Sequence, residues 1–188
     1  MEVTLHIENM VCNRCIKVLK QEFEQHQLAL KNIELGKITL DINEDTDLEK
    51  AKDIVDRNGF SIINTQKQKI IENVKISLIK LLDKLPLKLD KKLSAYLEEA
   101  IHLEYSKISK TFSTVETITI EKYFIRLKIE KSKELIQSDK YNFTEISQLL
   151  DYNNINHFSR QFKNETGMSL TDYKKDQRNT RKSLDQII

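Results

Sequence analysis

The chain has 188 residues, 39% apolar and 32% charged, with only 3 Gly and 1 Pro. That scarcity of turn-formers excludes a loop-rich β-sandwich and low-complexity disorder, and favours long helices. No apolar run nears the ~20 residues that span a bilayer, and the acidic, alternating start MEVTLHIENM lacks the basic-then-apolar order of a secretion signal, so a soluble, cytoplasmic protein is expected.

The net charge of +2 hides a division. Residues 1–66 carry 8 Lys/Arg against 12 Asp/Glu, and the remainder 23 against 17. An acidic head on a basic body suits a protein of which one part meets nucleic acid. In the head, Val3, Leu5 and Ile7 alternate with polar residues, the period of a half-buried strand. After a Met10–Cys15 turn, Ile16, Leu19 and Phe23 recur at helical spacing to about His26. Two strand-like runs, 28–35 and 37–42, flank Gly36, which can take the positive φ of a hairpin turn. Leu48, Ala51, Ile54 and Val55 mark a second helix stopped by Asn58-Gly59, and residues 60–63 read as a last short strand. The order is βαββαβ, a ferredoxin-like arrangement.

The two cysteines, Cys12 and Cys15, stand in a C-x-x-C between the first strand and first helix. A redox pair would need a thioredoxin-like setting. A soft-metal site needs two thiolates on a loop, with an apolar residue, here Met10, folded inward. The helix N-terminus is expected to lower the pKa of Cys15. Cu(I) accepts two soft ligands, whereas Zn(II) takes four and would need two chains to pool their thiolates in one site. This stretch resembles the heavy-metal-associated domain of copper chaperones and copper-pumping ATPases, through M-x-C-x-x-C, the βαββαβ order and Gly59-Phe60. The resemblance implies Cys12 and Cys15 as metal ligands and Met10 as a buried prop. Asn9 stands where such domains usually have Gly, and Phe60 where Tyr or Lys is common.

A polar join at 65–69 places the domain boundary at 66/67. Beyond it the chain reads as helical: a leading helix over 69–85 with an apolar stripe from Ile70 to Leu85, ended by Pro86. Two helix-turn-helix pairs follow, 91–101 with 105–113, and 144–150 with 154–165, the last stopped by Gly167. A helix over 119–138 joins them. Its ~30 Å length at 1.5 Å per residue is close to one ~34 Å turn of B-DNA, so it would set two reading helices in successive major grooves. On the last helix Ile155, Phe158 and Phe162 face inward, leaving Asn154, Asn156, His157, Ser159, Arg160 and Lys163 outside. Asn and Arg make bidentate bonds to adenine and guanine, and Lys and Ser reach phosphates.

Residues 70–176 resemble the DNA-binding domain of AraC/XylS-family transcription regulators, most specifically FTEISQLLDYNNINHFSRQFKNETGMSLTDYKK. The resemblance implies that Tyr105, Ser106, Lys107, Ser109 and Lys110 read one major groove, and Asn154, Asn156, His157, Arg160 and Gln161 the next. It makes Phe158, Phe162, Gly167, Met168 and Tyr173 scaffold. Glu116-Thr117 replaces the family's usual Thr-Gly, and a metal-type head replaces its sugar-binding barrel. The basic tail 174–182 is a candidate phosphate contact, and no residue pattern indicates an enzyme. The expected protein is α+β: a regulator that binds double-stranded promoter or operator DNA and responds to a soft metal, Cu(I) before Zn(II), with a homodimer compatible with that role. The alternatives are a constitutive regulator whose head serves dimerisation, or a metal carrier whose helical body docks on a partner.

Overall fold

The alternation at residues 3–8 folds as β1 (Glu2–Glu8), and the following elements are α1 (Asn13–Gln25), β2 (Ala29–Glu34), β3 (Lys37–Asp41), α2 (Asp45–Arg57), β4 (Ser61–Ile62) and α3 (Gln66–Asp83). The structure is a computed structural model and describes residues 1–176 and 181–187. The strands form one sheet in the order β2-β3-β1-β4, with every neighbouring pair antiparallel. The β2–β3 turn uses Gly36 at φ 69. β2 is an edge strand whose register shifts between Leu30 and Asn32, a bulge. Leu19 and Phe23 of α1 and Ala51, Ile54 and Val55 of α2 are buried with Ile7, Ile38 and Leu40 of the sheet.

β4 is two residues long, shorter than the expected 60–63. The Phe60 N–H is taken by the Val55 carbonyl at 3.1 Å and the Gly59 N–H by Asp56 at 3.0 Å, so the first residues past α2 serve its C-terminal end before any strand can start.

The chain forms two compact units, Met1–Ile76 and Ser77–Ile188. The division falls inside α3, ten residues beyond the expected 66/67. α3 ends at Asp83, ahead of Pro86, which disfavours helical geometry in Leu85.

The second unit adds α4 (Leu93–Ile101), α5 (Tyr105–Glu116), α6 (Ile120–Gln137), α7 (Phe143–Leu149), α8 (Ile155–Thr166), α9 (Leu170–Lys175) and a 3-10 turn at Leu184–Gln186. α6 is its core helix. Tyr123, Leu127, Ile129 and Ile136 are buried, and so are Glu130, Ser132 and Lys133. Glu130 offsets its burial by accepting from Lys133 Nζ at 2.6 Å and from the Lys182 N–H at 3.0 Å. Residues 181–187 return to this helix: Arg181 pairs with Glu134 at 3.1 Å, Arg126 donates to the Ile187 carbonyl at 3.4 Å, and Ile187 is buried. Neither this return nor α9 is expected from the sequence. Among the described residues no helix is long and apolar enough to cross a membrane.

Candidate nucleic-acid interface and thiol loop

Each helix-turn-helix pair is fixed from beneath by aromatic residues. Phe158 and Phe162 of α8 are fully buried, with ring centroids 6.0 Å apart. Phe162 meets Tyr173 of α9 at 5.4 Å, and Phe158 meets Tyr152 at 5.1 Å. In the first pair, Ile108 and Phe112 of α5 are fully buried and Phe112 meets Tyr123 of α6 at 5.6 Å. Burying these positions leaves the other face of each reading helix outward. On α8, Asn156, His157, Arg160 and Lys163 are exposed; on α5, Ser106, Lys107 and Lys110 are exposed and Ser109 half-buried.

Three expected contact residues have other engagements. Asn154 is the N-cap of α8, its Oδ1 accepting the His157 N–H at 2.8 Å, so its carbonyl oxygen is committed to the helix. Gln161 turns its Oε1 into the interior, where the atom is buried and finds no partner among the described residues. Tyr105 is half-buried and donates its hydroxyl to Glu121 in the first turn of α6; burial, then that bond, raises its pKa well above the usual value. Tyr105 thereby braces the start of α5 against α6.

The sequence reading places Tyr152 in a turn, yet it belongs to the scaffold. Its ring lies under Lys128 Nζ at 4.1 Å, which also donates to the Leu150 carbonyl at 3.3 Å. Burial lowers the pKa of Lys128. The lysine holds the α7–α8 turn to α6 by a cation–π contact and a carbonyl bond. A period-3.6 reading of α6 would show Lys128 near the apolar side, but nothing in the sequence pairs it with Tyr152.

The first pair differs at its end. Thr117 takes φ 59, and its Oγ1 donates to the Glu116 carbonyl at 2.7 Å. The helix therefore stops at the position where the family's Gly would stop it, using a β-branched residue in the left-handed region. α5 runs through Glu116, beyond the expected 113.

In the head, Cys12 is the N-cap of α1 and Cys15 lies in its first turn, both half-exposed, with their Sγ atoms 3.0 Å apart and one thiol donating to the other. Met10 is fully buried. The expected lowering of the Cys15 pKa does not hold. Burial pushes the thiol up and the bond with Cys12 adds to this, outweighing the backbone N–H groups of Cys12 and Val11 that pull it down. His6 is held below its usual pKa by burial, then by Lys69 and Lys37. Among the described residues no group of three or more His, Cys, Asp or Glu could hold a metal. Of the basic tail, Lys174 pairs with Asp139 at 2.9 Å and Arg181 with Glu134, while residues 177–180 lie outside the described residues.

Residues 97–176 match the family model described as a helix-turn-helix domain. This span, from Leu97 in α4 through α9, is similar to an AraC-type helix-turn-helix domain and takes in both helix-turn-helix pairs. The chain is also similar to the C-terminal domain of AraT, a response regulator from Geobacillus stearothermophilus, at 18% identity and TM-score 0.50, over 63% of this chain and 94% of that one. At that identity the likeness shows the fold. No curated protein matches the chain.

Proposed function

We propose that the protein is a sequence-specific transcription regulator that reads DNA through α5 and α8 and responds to a soft cation, Cu(I) before Zn(II), held by Cys12 and Cys15. The helix-turn-helix domain supports the DNA-binding part. The outward faces of α5 and α8, carrying Lys107, Lys110, Asn156, Arg160 and Lys163, supply the phosphate-reaching and base-reading groups. α6, at 18 residues, is roughly 27 Å long at 1.5 Å per residue, a little under one ~34 Å turn of B-DNA.

One observation carries the cation part: two half-exposed thiols 3.0 Å apart at the start of α1, above a buried methionine, on a sheet ordered β2-β3-β1-β4. The βαββαβ chain order and that strand order support reading the head as ferredoxin-like and similar to a heavy-metal-associated domain. The donor set fits Cu(I), which is satisfied by two thiolates. The two sulfurs, 3.0 Å apart here, would have to separate to share one ion. Cys12 and Cys15 would hold the ion, whose charge would offset part of that of their two thiolates.

A second reading, a constitutive regulator with an inert head, draws on the raised pKa of Cys15, because ligation needs the thiolate. One experiment separates the two. Operator duplexes are first selected by the protein from a random-sequence library. Affinity for them is then measured with and without one equivalent of Cu(I), for the wild type and Cys12→Ser/Cys15→Ser. The expected result is a change of about tenfold in the wild type, equal to ~1.4 kcal/mol of coupling, and none in the double variant. Equal affinities in all four measurements establish the constitutive reading.

A further inference from the structure

Glu72 is 3% exposed, on the α3 face that also buries Ile76 one helical turn later. A carboxylate in such a place is costly unless its oxygens are bonded. Its Oε1 accepts the backbone N–H of Asn9 at 2.8 Å, across 63 positions of sequence. Asn9 is the residue that turns the chain out of β1 into the Met10–Cys15 loop, at φ 61 in the left-handed region. The following carbonyl, of Met10, accepts the Gly36 N–H at 3.1 Å, and the Gly36 carbonyl accepts the Ile7 N–H at 2.9 Å. One helical turn beyond Glu72, Ile76 lies so close that a Cβ on Gly36 would overlap its Cδ1. Two α3 side chains at i and i+4 thus sit on the two backbone segments from which the thiol loop hangs.

We propose that Glu72 is the positioning residue that ties the Cys12/Cys15 loop to α3, so that loading of the loop is read as a change in the hold on that helix. The proposal rests on the reading of Cys12 and Cys15 as cation ligands. Sharing one ion would spread the two sulfurs beyond 3.0 Å, and because Cys15 packs against the core of the head, Cys12 would be the one to move. Met10 and Val11, between Cys12 and Asn9, are both buried and closely packed, so they do not absorb the displacement as free loop residues would. It reaches the Asn9 amide and, through the 2.8 Å bond, Glu72. α3 is the helix whose sequence continues at Ser77 as the first residue of the second unit. For this to regulate, the cation must bind one arrangement of loop and helix better than the other.

The test uses the full chain as wild type, Glu72→Met, which keeps the volume and removes the acceptor, and Glu72→Gln, which keeps an acceptor oxygen. Cu(I) affinity is read against a chromophoric chelator, and backbone hydrogen exchange over residues 67–76 is read with and without one equivalent of Cu(I). In the wild type Cu(I) is expected to change exchange at residues 70–76 by about tenfold or more, the ordinary scale of coupling between two sites. E72M is expected to bind Cu(I) with its α3 exchange unmoved, and E72Q to recover the response. A wild type that binds Cu(I) with no change in α3 exchange, or an E72M variant with the full response, overturns the proposal and leaves the cation site standing. Absence of Cu(I) binding by the wild type overturns the cation site and the coupling together. Should E72M not fold, the wild-type exchange response decides the matter.

Discussion

α8 begins on Asn154, whose side chain caps the helix through the His157 N–H, and ends on Gly167 at φ 75; α5 begins on Glu104, which makes no side-chain cap, and ends on Thr117 at φ 59. The supporting helices differ in the same direction. α7 has a reciprocal capping box between Asn142 and Glu145, whereas α4 starts on Lys92 with no side-chain cap. Beneath the helices, Phe158 meets two rings and Phe112 meets one. The same motif is therefore built twice, once with N-cap side chains at both helix starts and once without them, held more by its buried face. Local chemistry is dispensable where packing is sufficient, and the expected cost is a more easily opened first pair.

Substitutions in matched pairs break or sharpen this contrast. The largest effect is expected from Phe158→Ala, about 3–5 kcal/mol of stability by chemical denaturation. Phe112→Ala should cost less by roughly 0.5–1.5 kcal/mol, the worth of one aromatic pair. A reversed order would mean that the first pair carries the core of the unit. Next, Arg160→Ala should lower DNA affinity by about 1–3 kcal/mol and relax preference at one base pair, while Lys107→Ala should weaken all sequences alike and reduce the salt slope by about one. A uniform loss with Arg160→Ala would make that residue a phosphate contact. Removing the cap with Asn154→Ala should cost ~1 kcal/mol of thermal or denaturant stability, against less than about 0.5 kcal/mol for Glu104→Ala. Substitutions at the two left-handed helix stops should have opposite signs. Among the described residues no atom lies within 4 Å of a Cβ built on Gly167, so Gly167→Ala meets only the left-handed backbone cost of ~1–2 kcal/mol. Thr117→Gly relieves that same cost and should stabilise by less than about 1 kcal/mol once the freer unfolded chain is counted. Destabilisation by Thr117→Gly would show that the Oγ1 bond to Glu116 matters more than the backbone.

What could be read from the sequence follows the same line. Elements with periodic apolar residues and chemical stops are legible: β1, α1, the Gly36 hairpin, α2 with Asn58-Gly59, and α8 with Gly167 all lie within a few residues of expectation. Long-range pairings are not. Lys128 over Tyr152, Glu72 on the Asn9 amide, and Lys182 on Glu130 join residues whose individual environments look ordinary, and only the fold brings them together. The outward residues of α5 and α8 follow from helical period, but period alone says nothing of which outward-leaning side chain bends inward, as Gln161 does, or caps its own helix, as Asn154 does. For Cys15 the helix end is legible and the burial is not, and burial decides the direction of its pKa.

The edge strand β2 has a consequence for how the protein behaves when concentrated. One side of its backbone has no neighbour in the sheet, a row of N–H and C=O groups on which a stray strand could template itself. The bulge between Leu30 and Asn32 breaks the regular spacing of that row, and the residue at the break, Lys31, is held by Glu2 at 3.1 Å and Asp41 at 3.5 Å. A strand arriving in register would meet a kink and a cluster of charge after only a few residues. The head thus carries its own guard against fibre-like growth.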